Sequence, residues 1–116
     1  MAASFDCRSR WLSTTEITIC DDVQLSRMDD RLARRLGGLT RRLSFGQYLG
    51  LRHWHASSAR QRSQCRTDRA CIIASYRMQE RFLDRLQYCL EFSMARRACL
   101  RDLVTGGERE TMRRQR

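Results

Sequence analysis

Six cysteines in 116 residues constrain this chain more than any other feature, because bridges or metal bonds between them would fix which segments can sit together. The gaps argue against zinc. Cys7 and Cys20 enclose twelve residues, Cys65 and Cys71 five, and Cys89 and Cys99 nine, whereas structural zinc sites use paired C-x-x-C spacing or C-x-x-C with H-x-x-x-H. Disulfides are the favoured use, and they persist in oxidising compartments. The competing reading is a set of reduced core cysteines in a cytosolic protein. If Cys89 and Cys99 share one continuous helix they stand about 15 Å apart, too far to bond each other. One of them is then expected to be free or intermolecular.

A chain of this length holds one core. With 41% hydrophobic and 31% charged residues it belongs with soluble globular proteins rather than disordered ones. No stretch approaches the ~18 consecutive apolar residues of a spanning helix, and the opening MAASFDC lacks the charged and apolar regions of a secretory signal. There is no proline and no internal repeat, so nothing marks a domain boundary before the C-terminus. A single domain over 1–104 with a basic, disordered tail over 105–116 is expected.

Steps of three and four dominate the apolar pattern, which predicts an all-α protein. Ser13-Thr14-Thr15-Glu16 reads as a capping box that starts a short helix running to Cys20. Asp21 or Asp22 can cap the next, where Leu25, Met28, Leu32, Leu36, Leu39 and Leu43 form one stripe. Gly37-Gly38 interrupt that stripe at roughly 1 kcal/mol each, so a bend or weakening is expected there. A turn around Ser44 to Gly46 precedes a helix to about Gln64, with Leu51, His55, Ser58, Arg62 and Cys65 along an unusually polar face. After a loop from Arg66 to Arg69, the last helix carries Ile72, Tyr76, Gln79, Leu83, Leu86 and Leu90 as a packing seam. It is expected to continue to Leu103 and to stop at Gly106-Gly107. The predicted fold is a small disulfide-stabilised bundle of four to five helices with a long C-terminal helix.

The net charge of +10 is carried wholly by arginine, because the chain has no lysine. Such a balance suits anionic partners, but arginine without lysine is also the product of GC-rich codon usage. Arg31, Arg34, Arg35, Arg41 and Arg42 stripe the second helix, and Arg60, Arg62, Arg66 and Arg69 follow. A nucleic-acid binder would interleave exposed aromatics or carry a recognised motif. Neither is evident, so nucleic acid is disfavoured and a solvated basic face is the simpler reading. His53 and His55 are two apart on a helix and face different ways, so they are read as surface or interface residues rather than metal ligands. Asp29 and Asp30 are adjacent and point apart, Ser58 has no evident base, and no glycine-rich phosphate loop exists. No enzyme, metal or cofactor is expected.

One set of residues has a familiar order. Asp6-Cys7, Glu16, Ile19-Cys20-Asp21, Leu25, Met28-Asp29 and Leu32 are followed by Arg62, Cys65, Asp68, Cys71-Ile72, Tyr76 and Leu83. From Ser4 to about Leu86 this pattern resembles the LprI-type lysozyme-inhibitor family, also called YecT-like. Leu36, His55, Ser58, Ser63 and Gln79 depart from it, standing where the family has tyrosine, glutamine, tryptophan, aspartate and arginine. The resemblance implies bridges Cys7 to Cys20 and Cys65 to Cys71, with Cys89 and Cys99 additional to the family. It also implies a bacterial envelope protein, periplasmic or secreted, that binds a protein partner such as a lysozyme-like muramidase. Asp29 matches the family's Leu-Asp position and flanks the apolar stripe; Arg62 is the candidate partner for an inward carboxylate, against the alternative of a solvated aspartate. Arg31, Arg34, Arg35, Arg66 and Arg69 are the candidate binding residues. A non-inhibitory adaptor for an acidic envelope partner is the second reading.

Overall fold

The computed structural model describes residues 5–92, and among them there are four helices and no strand. In chain order these are α1 (Thr14–Asp21), α2 (Val23–Thr40), α3 (Phe45–Ser63) and α4 (Arg69–Phe92). The all-α bundle expected from the periodicity is the fold observed. The continuation to Leu103, the stop at Gly106-Gly107, the tail 105–116 and Cys99 lie outside the described residues.

Local chemistry sets the helix starts. The Ser13 hydroxyl accepts the Glu16 amide at 3.1 Å while the Glu16 carboxylate accepts the Ser13 amide at 2.9 Å, closing the expected capping box. Of the two candidate aspartates, Asp22 caps α2, accepting the amides of Gln24 and Leu25 at 2.9 and 3.1 Å. A second box starts α3: Ser44 accepts from Gln47 at 3.3 Å, and the Gln47 side chain accepts the Ser44 amide at 2.9 Å. That cap draws Phe45 and Gly46 into the first helical turn, where a turn had been expected. Asp68 accepts the Cys71 amide at 3.2 Å, so Arg69 opens α4 instead of closing the loop before it. At Gly37-Gly38 the interruption does not materialise: α2 runs through both to Thr40. Leu32 and Leu39 anchor that stretch in the core from either side, and this burial outweighs the glycine cost.

The core is the meeting of four apolar stripes. Ile19 of α1, Leu25, Leu32 and Leu39 of α2, Leu51 of α3, and Ile72, Tyr76, Leu83, Leu86 and Leu90 of α4 form one buried cluster. Met28, Leu36 and Leu43 pack against it from their partly exposed positions. α4 lies against α2 and α3, and α1 lies against the same two helices. Trp54 of α3 stacks on Phe82 of α4 with ring centroids 4.0 Å apart. Buried polar groups on α1 and α2 find backbone partners: Thr15 donates to the Ser63 carbonyl at 3.1 Å and Ser26 to the Ile19 carbonyl at 2.6 Å. These bonds fasten α1 to the end of α3 and the start of α2.

Cys7 bonds Cys20 and Cys65 bonds Cys71, with Cα separations of 5.8 and 5.5 Å. The first closes the N-terminal loop onto α1; the second clasps the turn between α3 and α4, in which Arg66 has a left-handed φ of 54°. Cys89 is also disulfide-bonded and lies in the core face of α4. One of Cys89 and Cys99 was expected to be free or intermolecular; Cys89 is not a free thiol, and Cys99 lies outside the described residues. No helix among the described residues is long and apolar enough to cross a membrane.

Candidate functional site

Three helices bring one polar group each to a buried node. Asp29 of α2 and Arg62 of α3 have side chains 3% and 6% exposed, with Arg62 Nη1 3.5 Å from Asp29 Oδ1. The Tyr76 hydroxyl of α4 donates to the same Asp29 oxygen at 2.9 Å and accepts from Arg62 Nη1 at 3.3 Å. The Arg62 guanidinium also lies 5.4 Å from the Tyr76 ring centre and 5.9 Å from that of Phe5, within cation–π range. Burial, with the Asp29 charge adding to it against the opposing Arg62 charge, pushes the Tyr76 hydroxyl far above its ordinary value. Tyr76 thus stays protonated and acts as a donor, which suits a structural clasp and not a base or nucleophile.

The polar face of α3 differs in detail from its sequence reading. Ser57 is the buried serine, while Ser58 is partly exposed. His55 is half-buried; burial first, then the Arg62 charge, holds its imidazolium below the ordinary range, opposed by Asp29. Gln79 is buried, donating to Ser75 at 3.2 Å, and among the described residues Gln79 Oε1 and Arg62 Nε have no hydrogen-bond partner.

The candidate binding arginines divide into two groups. Arg34 pairs with Asp30 at 3.0 Å along its own helix. Arg35 reaches Asp84, the Gln87 side chain and the Glu80 carbonyl on α4. Arg69 holds Asp22 at 2.8 Å and also contacts Gln24. Arg35 and Arg69 therefore stitch α2 to α4, and Arg42 adds a looser bridge to Glu91 at 3.7 Å. Of the five candidates, Arg31 and Arg66 are exposed and form no ion pair among the described residues. Arg31 does not stand alone: with Arg27, Met28 and Val23 of α2 and Arg77 and Glu80 of α4 it lines an open groove of about 550 Å³.

A second surface was missed by the sequence reading. Within the loop closed by Cys7 and Cys20, Trp11 is 91% exposed, preceded by exposed Arg8 and Arg10. The start of the loop is held by local hydrogen bonds. Asp6 accepts the amides of Arg8 and Ser9, at 2.9 Å through its carboxylate and 3.0 Å through its carbonyl, and Ser9 Oγ accepts the Trp11 amide at 3.1 Å. The order Cys-Arg-Ser-Arg-Trp inside a closed loop was the available signal: a tryptophan preceded by two arginines, outside every apolar stripe.

No protein-family model, curated protein or solved structure matches this chain.

Proposed function

We propose that this chain is a non-catalytic, periplasmic or secreted binding protein that inhibits lysozyme-like muramidases by inserting the Cys7–Cys20 loop into their substrate cleft. The observation carrying the reading is Trp11: a large apolar side chain, almost fully exposed on a cross-linked and hydrogen-bonded loop, contributes nothing to the core. Tryptophan and arginine are the residues that most often dominate protein interfaces, and pre-ordering lowers the entropy lost on association. A protruding loop fits a cleft, and Arg8 and Arg10 suit the two carboxylates that flank the scissile bond in such enzymes. The disulfides support an oxidising compartment, and the residue pattern from Asp6 to Leu83 supports the choice of partner class.

Charge shapes the test. A protein of net charge +10 is repelled at long range by basic lysozymes. Inhibition of cell-wall clearing should therefore be stronger against an acidic or neutral lysozyme than a basic one, with added salt weakening the first and partly rescuing the second. Trp11→Ala should raise the inhibition constant by about tenfold or more without lowering the melting temperature. If neither enzyme is slowed at micromolar concentrations of the protein, the inhibitor reading fails.

A further inference from the structure

The groove between α2 and α4 is lined by charge that the fold leaves unanswered. Arg34, Arg35 and Arg42 each meet a carboxylate on α2 or α4. Arg27, Arg31 and Arg77 line one depression together with Glu80, yet none of the four makes an ion pair among the described residues. The depression holds three guanidinium groups against one carboxylate, over an apolar floor and rim made by half-buried Met28 and exposed Val23.

We propose that this groove docks an acidic amphipathic helix of a partner protein. Arg27 and Arg31 are four residues apart on α2, about 6 Å along its axis, the same interval that separates carboxylates at i and i+4 on a partner helix. Arg77 faces them from α4 and can take a third carboxylate across the groove. At about 550 Å³ the space accommodates several side chains from one face of a helix. An aliphatic residue between the acidic ones would cover Met28 and Val23; inorganic phosphate offers those side chains nothing, and a flat lipid surface does not enter a groove. Guanidinium pairs with carboxylates bidentately, so register as well as charge would be read here. This site does not depend on the Trp11 loop, and the two can succeed or fail separately.

The experiment uses the full chain and a fluorescent helical peptide bearing glutamates at i and i+4 on either side of a leucine, followed by anisotropy. Saturable binding is expected, weakened about tenfold by Arg27→Gln with Arg31→Gln and further by Arg77→Gln. Trp11→Ala should leave it unchanged. Circular dichroism melts confirm that the variants stay folded, and chemical-shift changes at the Met28 methyl locate the peptide without any mutation. Equal binding of a scrambled acidic peptide, equal competition by inorganic phosphate at matched ionic strength, preference for anionic phospholipid vesicles, or no saturation would each overturn the proposal.

Discussion

Removing the Asp29 carboxylate leaves the Arg62 guanidinium buried against Tyr76 with its charge unanswered. Asp29→Ala should cost about 3 kcal/mol in chemical denaturation, because an uncompensated buried charge is worse than an absent pair. Tyr76→Phe removes only a hydroxyl and should cost about 1 kcal/mol. Replacing both charges with apolar groups, Asp29→Leu with Arg62→Met, should lose less stability than either single change; strictly additive losses would show that the pair is not coupled. His55 makes the node sensitive to pH. Its folded form resists protonation relative to the ordinary value of 6.5, through burial and then Arg62, with Asp29 opposing. As pH falls through 6.5 the unfolded chain binds the proton first, so stability present above that pH declines toward the lower folded value. His55→Gln should flatten this slope between about pH 7 and pH 5. Asp22 acts in a separate, more acidic window, since its hydrogen bonds to Arg69 and the Leu25 amide hold it below 3.8.

Among the elements, α2 carries the clearest inefficiency. Gly37 and Gly38 are exposed and helical, and a Cβ at either would meet nothing within 4 Å. Alanine there restricts the unfolded chain without crowding the folded one. Gly37→Ala and Gly38→Ala should each stabilise by about 0.5 to 1 kcal/mol, read as a rise in the denaturation midpoint. The opposite sign would mean that α2 needs to yield at this point. The turn between α3 and α4 shows the reverse case: Arg66 occupies a left-handed conformation that glycine adopts at less cost, so Arg66→Gly should be neutral or stabilising where a random turn substitution would not.

For the whole molecule, the bridges brace the N-terminal loop against α1 and the turn between α3 and α4. Cys7–Cys20 and Cys65–Cys71 close loops with sequence separations of 13 and 6, and the chain-entropy account assigns them about 3 and about 2 kcal/mol. Non-reducing peptide mapping of the protein isolated without reductant should recover both cross-links. Reduction should lower the melting temperature, and the Cys7→Ser, Cys20→Ser pair should weaken the inhibition proposed for the Trp11 loop even under conditions where the core remains folded, because the loop loses its closure.

The sequence by itself determined the helices and much of the core. Leu25, Leu32, Leu39, Ile72, Tyr76, Leu83, Leu86 and Leu90 are buried, as their three-and-four spacing predicts, and Ser13, Glu16 and Asp22 cap where their side chains can reach. Periodicity and capping are local, acting within one turn, so a linear reading reaches them. The Ser44–Gln47 box was equally local and was overlooked because Gly46 suggested a turn. Beyond the caps and the Asp29–Arg62 pairing, only the tertiary structure decided what the polar side chains do. It placed Tyr76 between Asp29 and Arg62, turned Arg35 and Arg69 into braces between helices, and left Arg27, Arg31 and Arg77 together at a groove and Trp11 in solvent. Arginines look alike in a sequence. Whether each one faces a carboxylate or an open groove depends on how α2 and α4 lie side by side, about fifty residues apart in the chain.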